Sequence, residues 1–449
     1  MPMFPRLALP SLAIACAAAL AACNPAEPER DEAGKAPPRE ERMVADILPE
    51  ADDVHSYAEP GEARVTHVAL DLVADFEEKL LEGTAMLDIE AAEDAEEIVL
   101  DTKGLDIRAV HNGKDVPLEW ELGEEDEILG RPLTVELAGA ERIEVDYATA
   151  PDAAALQWLA PEQTAGGEHP FMFSQGQAIL NRTWIPTQDS PGIRQTWEAE
   201  ISVPQELRAV MSAAALNPEG EPADEEGMTA YRFEMDKPVA PYLIALAVGD
   251  IAFQKLGPRS GVYAEPSMLK EAAYELADVE KMIDAAEELY GPYRWGRYDM
   301  IVLPPAFPYG GMENPMLTFL TPTMIAGDRS LVALMAHELA HSWSGNLVTN
   351  ATWSDFWLNE GFTTYFEGRI MEKLYGRERA EMLIEEGWEG LEEEIEDMGG
   401  EDAPASRRKQ LLSTRPPPQR PSPDAKKKWP RLHRPQQPPS GPPRHNQNN

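Results

Sequence analysis

Cysteine is nearly absent from this chain of 449 residues, because Cys16 and Cys23 are its only two and both lie close to the N-terminus. No disulfide can therefore form within the remainder of the chain, which excludes a small fold held together by disulfides. Stability has to come from hydrophobic burial instead. The length allows two or three domains, and a hydrophobic content of 43% is sufficient for the corresponding cores.

Basic residues are also scarce, since 39 Lys and Arg stand against 80 Asp and Glu. The resulting net charge of −41 argues against nucleic acid as a partner, because a polyanion would be repelled. The imbalance is uneven along the chain, since residues 405–449 carry eleven Lys or Arg and a single acid, Asp424. A reversal of charge on that scale indicates a boundary near residue 405.

The apolar run near the start of the chain, Leu7–Ala22, is too short to span a membrane comfortably. Because it follows Arg6, it predicts a secretory signal peptide over residues 1–22. The run leads into a Leu-Ala-Ala-Cys sequence that ends at Cys23 and resembles a bacterial lipobox, so Cys23 would become a lipidated first residue. The alternative is an ordinary signal peptide whose removal leaves Cys23 free.

With a lipid on Cys23, the mature protein would be anchored to the bacterial cell envelope and would face the periplasm. Asn24 follows the cysteine at a position where Asp would favour retention in the inner membrane, so we expect the outer membrane. Residues 23–50 are rich in Pro, Glu, Ala and Arg and poor in apolar side chains, as in a flexible tether between the lipid and the folded part.

Alternation of apolar and polar residues with a period of two extends from about residue 62 to residue 256, for example in Ala85–Glu90 and Leu133–Leu137. Turn signals such as Asn112-Gly113 separate these runs. The pattern predicts an N-terminal antiparallel β saddle or sandwich over residues 51–256. Helical periodicity begins soon afterwards, so the expected fold class is multidomain α+β.

A His-Glu-x-x-His run from His337 to His341 continues an apolar segment with helical periodicity. Asp328 or Ser330 is a candidate cap for the start of that helix. Residues four apart lie on one face of a helix, so the two imidazoles can share one metal ion. Glu338 would lie close enough to contact a water molecule bound to that ion.

A third metal ligand is available at Glu360, which is separated from His341 by eighteen residues. That spacing allows the first helix to end, the chain to turn near Gly345, and a second helix to return past the first. Two His and one Glu, with a fourth position left for water, form a ligand set of catalytic zinc. The alternative is that the histidines are incidental core residues and Glu338 a solvated charge, but a Gly-Gly-Met-Glu-Asn run ending at Asn314 favours a metal hydrolase.

Gln175 and Gln177 form a second candidate site, between two apolar runs. If the segment is extended, side chains two apart point to the same side and offer their amide groups to one ligand. The alternative is a pair of surface glutamines on an edge strand.

The Gly-Gly-Met-Glu-Asn run, together with the His-Glu-x-x-His run and Glu360, resembles the zinc aminopeptidases of peptidase family M1. Three longer segments are similar, more narrowly, to the leukotriene A4 hydrolase branch of that family: Ala155–Thr164, Phe173–Ile179 and Phe307–Pro315. The resemblance implies that the β saddle is followed by a thermolysin-like α/β zinc catalytic domain, which is incomplete here and occupies residues 257–404.

The resemblance also implies roles for individual residues. One zinc ion per chain would be bound by His337, His341 and Glu360, and Glu338 would be the general base towards the zinc-activated water. Glu313 would hold the free α-amino group of a peptide substrate. The other residues expected at the substrate site are Gly310, Gly311, Met312, Tyr309, Gln175 and Gln177.

The chain departs from the family pattern towards its C-terminus. The family uses a Tyr well downstream of the third ligand to stabilise the oxyanion, whereas the last Tyr here is Tyr375, and neither it nor Tyr365 is suitably placed on the predicted helix. Residues 405–449 are rich in Pro as well as basic, and we expect disorder there instead of the family's C-terminal helical domain. Translation in a wrong reading frame would explain this segment, and a natural basic tail is the alternative.

Three hypotheses about function follow. The first is an exported zinc aminopeptidase that releases N-terminal residues from short peptides. The second is a non-catalytic, zinc-binding envelope lipoprotein, motivated by the absent oxyanion Tyr and C-terminal domain. The third is epoxide hydrolysis of a fatty-acid substrate as a side activity, which rests on the resemblance to the leukotriene A4 hydrolase branch alone.

Overall fold

The structure is a computed structural model, and it describes residues 53–397. Four predictions lie outside these residues and stay predictions: the signal peptide, the lipidation of Cys23, the tether and the basic Pro-rich tail. Among the described residues, no helix combines the length and the apolar character needed to cross a membrane.

Sixteen strands form in the part of the chain where apolar and polar residues alternate. Their bounds are Ala63–Asp75 (β1), Leu80–Ala91 (β2), Glu97–Thr102 (β3), Asp106–Asn112 (β4), Trp120–Leu122 (β5), Arg131–Glu136 (β6), Arg142–Ala148 (β7), Leu156–Leu159 (β8), Phe171–Ser174 (β9), Gln195–Pro204 (β10), Arg208–Met211 (β11), Ala214–Ala215 (β12), Glu221–Pro222 (β13), Met228–Val239 (β14), Leu246–Gly249 (β15) and Ala252–Lys255 (β16). Burial follows the alternation, and in β1 the side chains of Val68, Leu70 and Leu72 all point into the core.

The largest sheet has the strand order β12-β14-β10-β1-β2-β7-β4, with β13 paired to β14. Neighbouring strands in this sheet are antiparallel, except for β1 and β10. These two strands run parallel, and Leu72 pairs with Ile201. This one parallel pair departs from the antiparallel pattern predicted for the domain. The chain reaches β10 only after eight intervening strands, and a return of that length permits the parallel pairing that a hairpin does not.

Two smaller sheets complete the N-terminal region, with the orders β11-β15-β9-β8 and β3-β6-β5. Side chains from all three sheets share one hydrophobic core, in which Trp184 and Trp197 are fully buried. A β-rich N-terminal region followed by a mixed region of strands and helices confirms the predicted α+β fold class.

A fourth sheet begins the region predicted to be the catalytic domain, which is called the catalytic region below. It contains β16 and four further strands, Ser260–Ala264 (β17), Tyr298–Val302 (β18), Gly311–Met312 (β19) and Leu317–Leu320 (β20), in the order β16-β17-β18-β20-β19. The strands β17, β18 and β20 are parallel, and the two edge strands are antiparallel to their neighbours. Strand β16, residues 252–255, pairs with β17 and therefore belongs to this sheet. The predicted domain boundary at residue 256 stays a prediction.

Five α-helices pack on this sheet and against one another: Leu269–Glu275 (α1), Val279–Tyr290 (α2), Val332–Ala340 (α3), Phe356–Tyr375 (α4) and Arg377–Asp397 (α5). Short 3-10 helices cover Pro161–Gln163, Asn181–Thr183, Pro241–Leu243, Pro322–Met324 and Trp353–Asp355. The apolar positions of α3 recur at helical spacing, and Met335, Ala336 and Leu339 are fully buried against the neighbouring helices and sheet.

The start of α3 differs from the prediction. Leu331 occupies the N-cap position, and no side chain caps the helix. The carboxylate of Asp328 accepts a hydrogen bond from the backbone N–H of Ser330 instead, at 3.0 Å. The prediction of a side-chain cap at Asp328 or Ser330 was therefore wrong, because that local turn ends before the helix begins.

Candidate active site

Helices α3 and α4 bring three ligand side chains to one point. His337 lies in the last turn of α3, His341 follows its last residue, and their Nε2 atoms are 3.2 Å apart. The carboxylate oxygens of Glu360, on α4, lie 3.3 Å from Nε2 of His337 and 4.0 Å from Nε2 of His341. Two ligand atoms with bonds of about 2.0 Å at a tetrahedral angle are about 3.3 Å apart, so these distances fit one zinc ion.

The second ring nitrogen of each histidine is held by a partner. Nδ1 of His337 lies 3.1 Å from a carboxylate oxygen of Glu367, and Nδ1 of His341 lies 3.1 Å from the hydroxyl of Thr363. Such partners orient the rings so that both Nε2 atoms face the metal position. Burial lowers the pKa of His337, but Glu360 and Glu367 raise it by more, so the net pKa is well above its usual value. The site therefore attracts positive charge.

Glu338 is 5% exposed, and its Oε2 atom has no hydrogen-bond partner among residues 53–397. Burial raises the pKa of its carboxyl well above the usual value, and the charge of Glu313 acts in the same direction. A carboxylate with a raised pKa and a free oxygen is suited to accept a proton from water. Gly311 packs against it so closely that a Cβ at this position would lie 2.4 Å from Oε1 of Glu338.

Glu313 supplies a second buried carboxylate beside the metal position. Its carboxylate lies within 4.8 Å of a carboxylate oxygen of Glu338 and a ring nitrogen of His341. Tyr242 donates its hydroxyl proton to Oε1 of Glu313 at 2.9 Å, and Nδ2 of Asn346 donates to the backbone carbonyl at 2.7 Å. A buried carboxylate in this position can pair with an ammonium group.

The strand β19 runs alongside α3. The backbone carbonyl of Gly310 accepts a hydrogen bond from the N–H of Thr321 at 2.9 Å, and a Cβ at position 310 would lie 3.2 Å from Cδ1 of Leu334. Met312 is buried, whereas Tyr309 is 46% exposed. This arrangement places the backbone of Gly310 and Gly311 next to the His-Glu-x-x-His helix. Their role in substrate binding stays a prediction.

Gln175 directly follows β9 and Gln177 begins a turn, so the two glutamines do not lie on one extended strand as predicted. Nε2 of Gln175 donates to the backbone carbonyl of Gln177 at 3.1 Å, and its Oε1 accepts from the N–H of Gln177 at 3.0 Å. The amide of Gln175 is therefore used in hydrogen bonds to the backbone of Gln177. Gly176 contacts Tyr242, since a Cβ at position 176 would lie 2.7 Å from the carbonyl oxygen of Tyr242. The turn thus borders the residue that binds Glu313.

Three residues at the site were not predicted from the sequence: Glu367, Thr363 and Tyr242. Glu367 lies two helical turns after Glu360, so the spacing on one helix face could have revealed it. Thr363 follows Glu360 by three residues, so helical spacing places it on the same face as well. Tyr242 belongs to a 3-10 helix of the N-terminal region, 71 residues before Glu313, and no local pattern connects the two.

Two family models match this chain. The peptidase M1 N-terminal domain matches residues 62–243, and the peptidase family M1 domain matches residues 274–413. The chain belongs to peptidase family M1. The predicted family is thereby confirmed, and so is zinc as the cofactor, because M1 peptidases use zinc and the cluster of two His and one Glu has the geometry to bind it.

Individual relatives are similar over most of this chain. Leukotriene A-4 hydrolase from Xenopus laevis is 45% identical over 355 residues, which cover 77% of this chain and 58% of that protein. Leucine aminopeptidase 2 from Pyricularia oryzae is 42% identical over 348 residues, which cover 75% and 56%. The structure of yeast leukotriene A4 hydrolase in complex with bestatin matches with a TM-score of 0.72 at 36% identity, over 79% of this chain and 56% of that one. This M1 chain therefore spans little more than half the length of these relatives.

Proposed function

We propose that this protein is a zinc metallo-aminopeptidase that removes N-terminal residues from short peptides. The observation that carries the proposal is the buried carboxylate of Glu313, within 4.8 Å of Glu338 and His341. An acid beside the metal position can pair with the protonated α-amino group of a peptide, which selects substrates with a free N-terminus. This selection distinguishes an aminopeptidase from an endopeptidase.

Each residue of the site has its own role in the proposed peptide hydrolysis. His337, His341 and Glu360 would hold the zinc ion, which would supply a Lewis acid that polarises a carbonyl group and makes water more acidic. Glu338 accepts the proton of the attacking water and passes it to the nitrogen of the leaving amine. Glu313 binds the N-terminus of the peptide, and its carboxylate lies within 4.8 Å of that of Glu338, so the first peptide bond comes within reach of the general base.

The proposal includes export and a lipid anchor. It is supported by the Leu-Ala-Ala-Cys run that ends at Cys23 and by the apolar segment before it. Replacing Cys23 by Ser should move the protein from the membrane fraction to the soluble fraction of a bacterial host. Unchanged fractionation would contradict the anchor without affecting the proposed chemistry.

A second candidate function is zinc and peptide binding without turnover. It is favoured by the positions of the two tyrosines downstream of Glu360, because Tyr365 is 54% exposed and Tyr375 is 39% exposed. A phenol that stabilises an oxyanion has to face the substrate in a water-excluded site, and losing one such donor typically costs about 10²–10³ in rate. The same binding residues would then serve recognition alone.

Hydrolysis of aminoacyl anilides by the zinc-loaded full chain separates the two candidates. For the aminopeptidase we expect turnover that a chelator abolishes, and a reduction of about 10²–10⁴-fold in Glu338→Gln with one zinc ion still bound. Glu271→Gln, which alters an exposed glutamate on α1, is the matched control and should keep full activity. One bound zinc ion per chain without turnover would establish the second candidate instead.

A further inference from the structure

The hydroxyl of Tyr242 lies between Glu313 and Asn359. It donates to Oε1 of Glu313 at 2.9 Å and accepts from Nδ2 of Asn359 at 3.1 Å. A phenol carries one proton and an amide nitrogen only donates, so the proton of Tyr242 has to point at the carboxylate of Glu313. The chemistry of the two partners thus determines the direction of both hydrogen bonds.

Tyr242 is held in place by both regions of the protein. Its side chain is almost fully buried, and its ring packs on Trp353 with 5.0 Å between the centroids. On the other side, Gly176 contacts the backbone of Tyr242, and Nδ2 of Asn181 donates to the carbonyl of Pro241 at 2.6 Å. The phenol therefore has little freedom to swing away from Glu313.

The carboxylate of Glu313 needs such a restraint. A glutamate side chain has three rotatable bonds, and this one lies near a second buried acid, Glu338, which repels it. Among residues 53–397, Tyr242 is the one side chain that hydrogen-bonds to the Glu313 carboxylate. Without that hydrogen bond, the carboxylate would be free to turn away from Glu338 and from the position of a substrate N-terminus.

We propose that Tyr242 is a positioning residue for substrate recognition. Its phenol holds Oε1 of Glu313, which leaves Oε2 to face the ammonium group of the substrate, and Asn359 keeps the phenol proton directed at Glu313. Because Asn359 directly precedes Glu360, the same contact links the carboxylate that binds the amine to the helix that carries a metal ligand. The N-terminal region thereby contributes to the selectivity for a free N-terminus. This inference rests on the proposed aminopeptidase function.

The test compares two probes that differ only in the amino group: leucine hydroxamate and its des-amino analogue. Their affinities for the zinc-loaded full chain are measured by calorimetry, so no turnover is required. In Tyr242→Phe, we expect leucine hydroxamate to bind about tenfold more weakly, which corresponds to about 1.4 kcal/mol. The affinity for the des-amino analogue and the zinc content should stay unchanged, and for a peptide substrate KM should rise while kcat changes little.

Tyr147→Phe is the matched control. Tyr147 is also fully buried and donates its hydroxyl to the backbone carbonyl of Trp184 at 2.9 Å, so the variant loses a comparable buried hydrogen bond away from the site. It should retain the wild-type ratio of the two affinities. Any general effect of losing a buried phenol would appear in both variants.

The possible outcomes are distinguishable. If the wild-type chain binds both probes equally, Glu313 does not select an amine and the proposed function itself fails. If the wild type prefers leucine hydroxamate and Tyr242→Phe keeps the same preference, the positioning role is overturned and the proposed function stands. An equal loss of affinity for both probes would assign Tyr242 a purely structural role and would also overturn the inference.

Discussion

The two histidines of the site differ in the charge of their supporting partners. Nδ1 of His337 faces the carboxylate of Glu367, whereas Nδ1 of His341 faces the neutral hydroxyl of Thr363 and the backbone carbonyl of Ser344. A carboxylate partner makes an imidazole a stronger ligand and orients it at the same time. We therefore expect His337 to depend on its partner more strongly than His341 does.

Replacing Glu367 by Gln should weaken zinc binding about 10–100-fold, because the charge that supports His337 is lost while the shape of the side chain is kept. Competition with a chromophoric chelator measures the affinity. Glu372→Gln is the control on the same helix, since Glu372 pairs with Arg369 near the surface at 3.4 Å. Equal zinc affinities for the two variants would show that Glu367 does not support the metal ligand.

At the scale of elements, the site depends on the turn that joins α3 to α4. Gly345 adopts a φ of +107°, which L side chains rarely adopt, and its N–H donates to the carbonyl of Val348 at 2.9 Å. A Cβ at this position would lie 2.5 Å from Oδ1 of Asn359, at the start of α4. The turn therefore allows α4 to approach α3 closely enough for Glu360 to meet both histidines.

Gly345→Ala should lower the free energy of unfolding by about 1–3 kcal/mol and weaken zinc binding, since both the strained backbone and the contact with Asn359 push α4 away. Thermal unfolding with and without zinc measures both effects. Gly368→Ala, on α4 with no atom within 4 Å of the added Cβ, is the control and should stabilise the helix by up to about 1 kcal/mol. Similar unfolding temperatures for the two variants would contradict the role given to the turn.

At the scale of the whole molecule, the β-rich N-terminal region contains a buried ionic cluster of Arg182, Asp189 and Asp101. Nε of Arg182 is 3.3 Å from Oδ2 of Asp189, Nη1 is 3.6 Å from Oδ1 of Asp101, and all three side chains are buried. Nη2 of Arg182 also donates to the backbone carbonyl of His55 at 2.7 Å. Nearby, the carboxylate of Asp53 accepts from the N–H of Trp353 at 3.2 Å, so this segment links the β-rich and catalytic regions.

The cluster contains one cation and two acids, and this imbalance predicts a pH dependence. Burial raises the pKa of Asp189 to about 7, the charge of Asp101 adds to the effect, and Arg182 opposes it. The folded state therefore keeps a proton that the unfolded state loses above its ordinary pKa of 3.8. The contribution of Asp189 to the free energy of unfolding is fully present below about pH 4. It is lost as the pH rises to about 7, and the loss is on the order of 4 kcal/mol at most.

Asp189→Asn, the neutral isostere, should remove this decline, so the difference in unfolding free energy between variant and wild type should grow from pH 4 to pH 7. Denaturant unfolding at several pH values measures it. Asp236→Asn, at an exposed acid next to Lys237, is the control and should follow the wild-type curve. A constant difference between Asp189→Asn and wild type would mean that Asp189 is ionised throughout the range.

Local patterns in the sequence determined much of this protein. The period of two in β1 and the helical spacing of His337 and His341 follow from backbone geometry within one element, so they could be predicted without tertiary information. Glu360 could be predicted as well, because its spacing from His341 leaves room for one turn and one returning helix. Thr363 and Glu367, the partners of the two histidines, lie on the same helix face as Glu360, so helical spacing could have revealed them too.

Only the tertiary structure decided the parallel pairing of β1 with β10 and the hydrogen bond from Tyr242 to Glu313. Each depends on which distant or competing partner a group meets once the chain is packed. Residues far apart in sequence come together through burial of the shared core, and this requirement leaves no periodicity in the sequence. The metal ligands are therefore largely a property of local sequence, whereas the support of the carboxylate that binds the amine is a property of the fold.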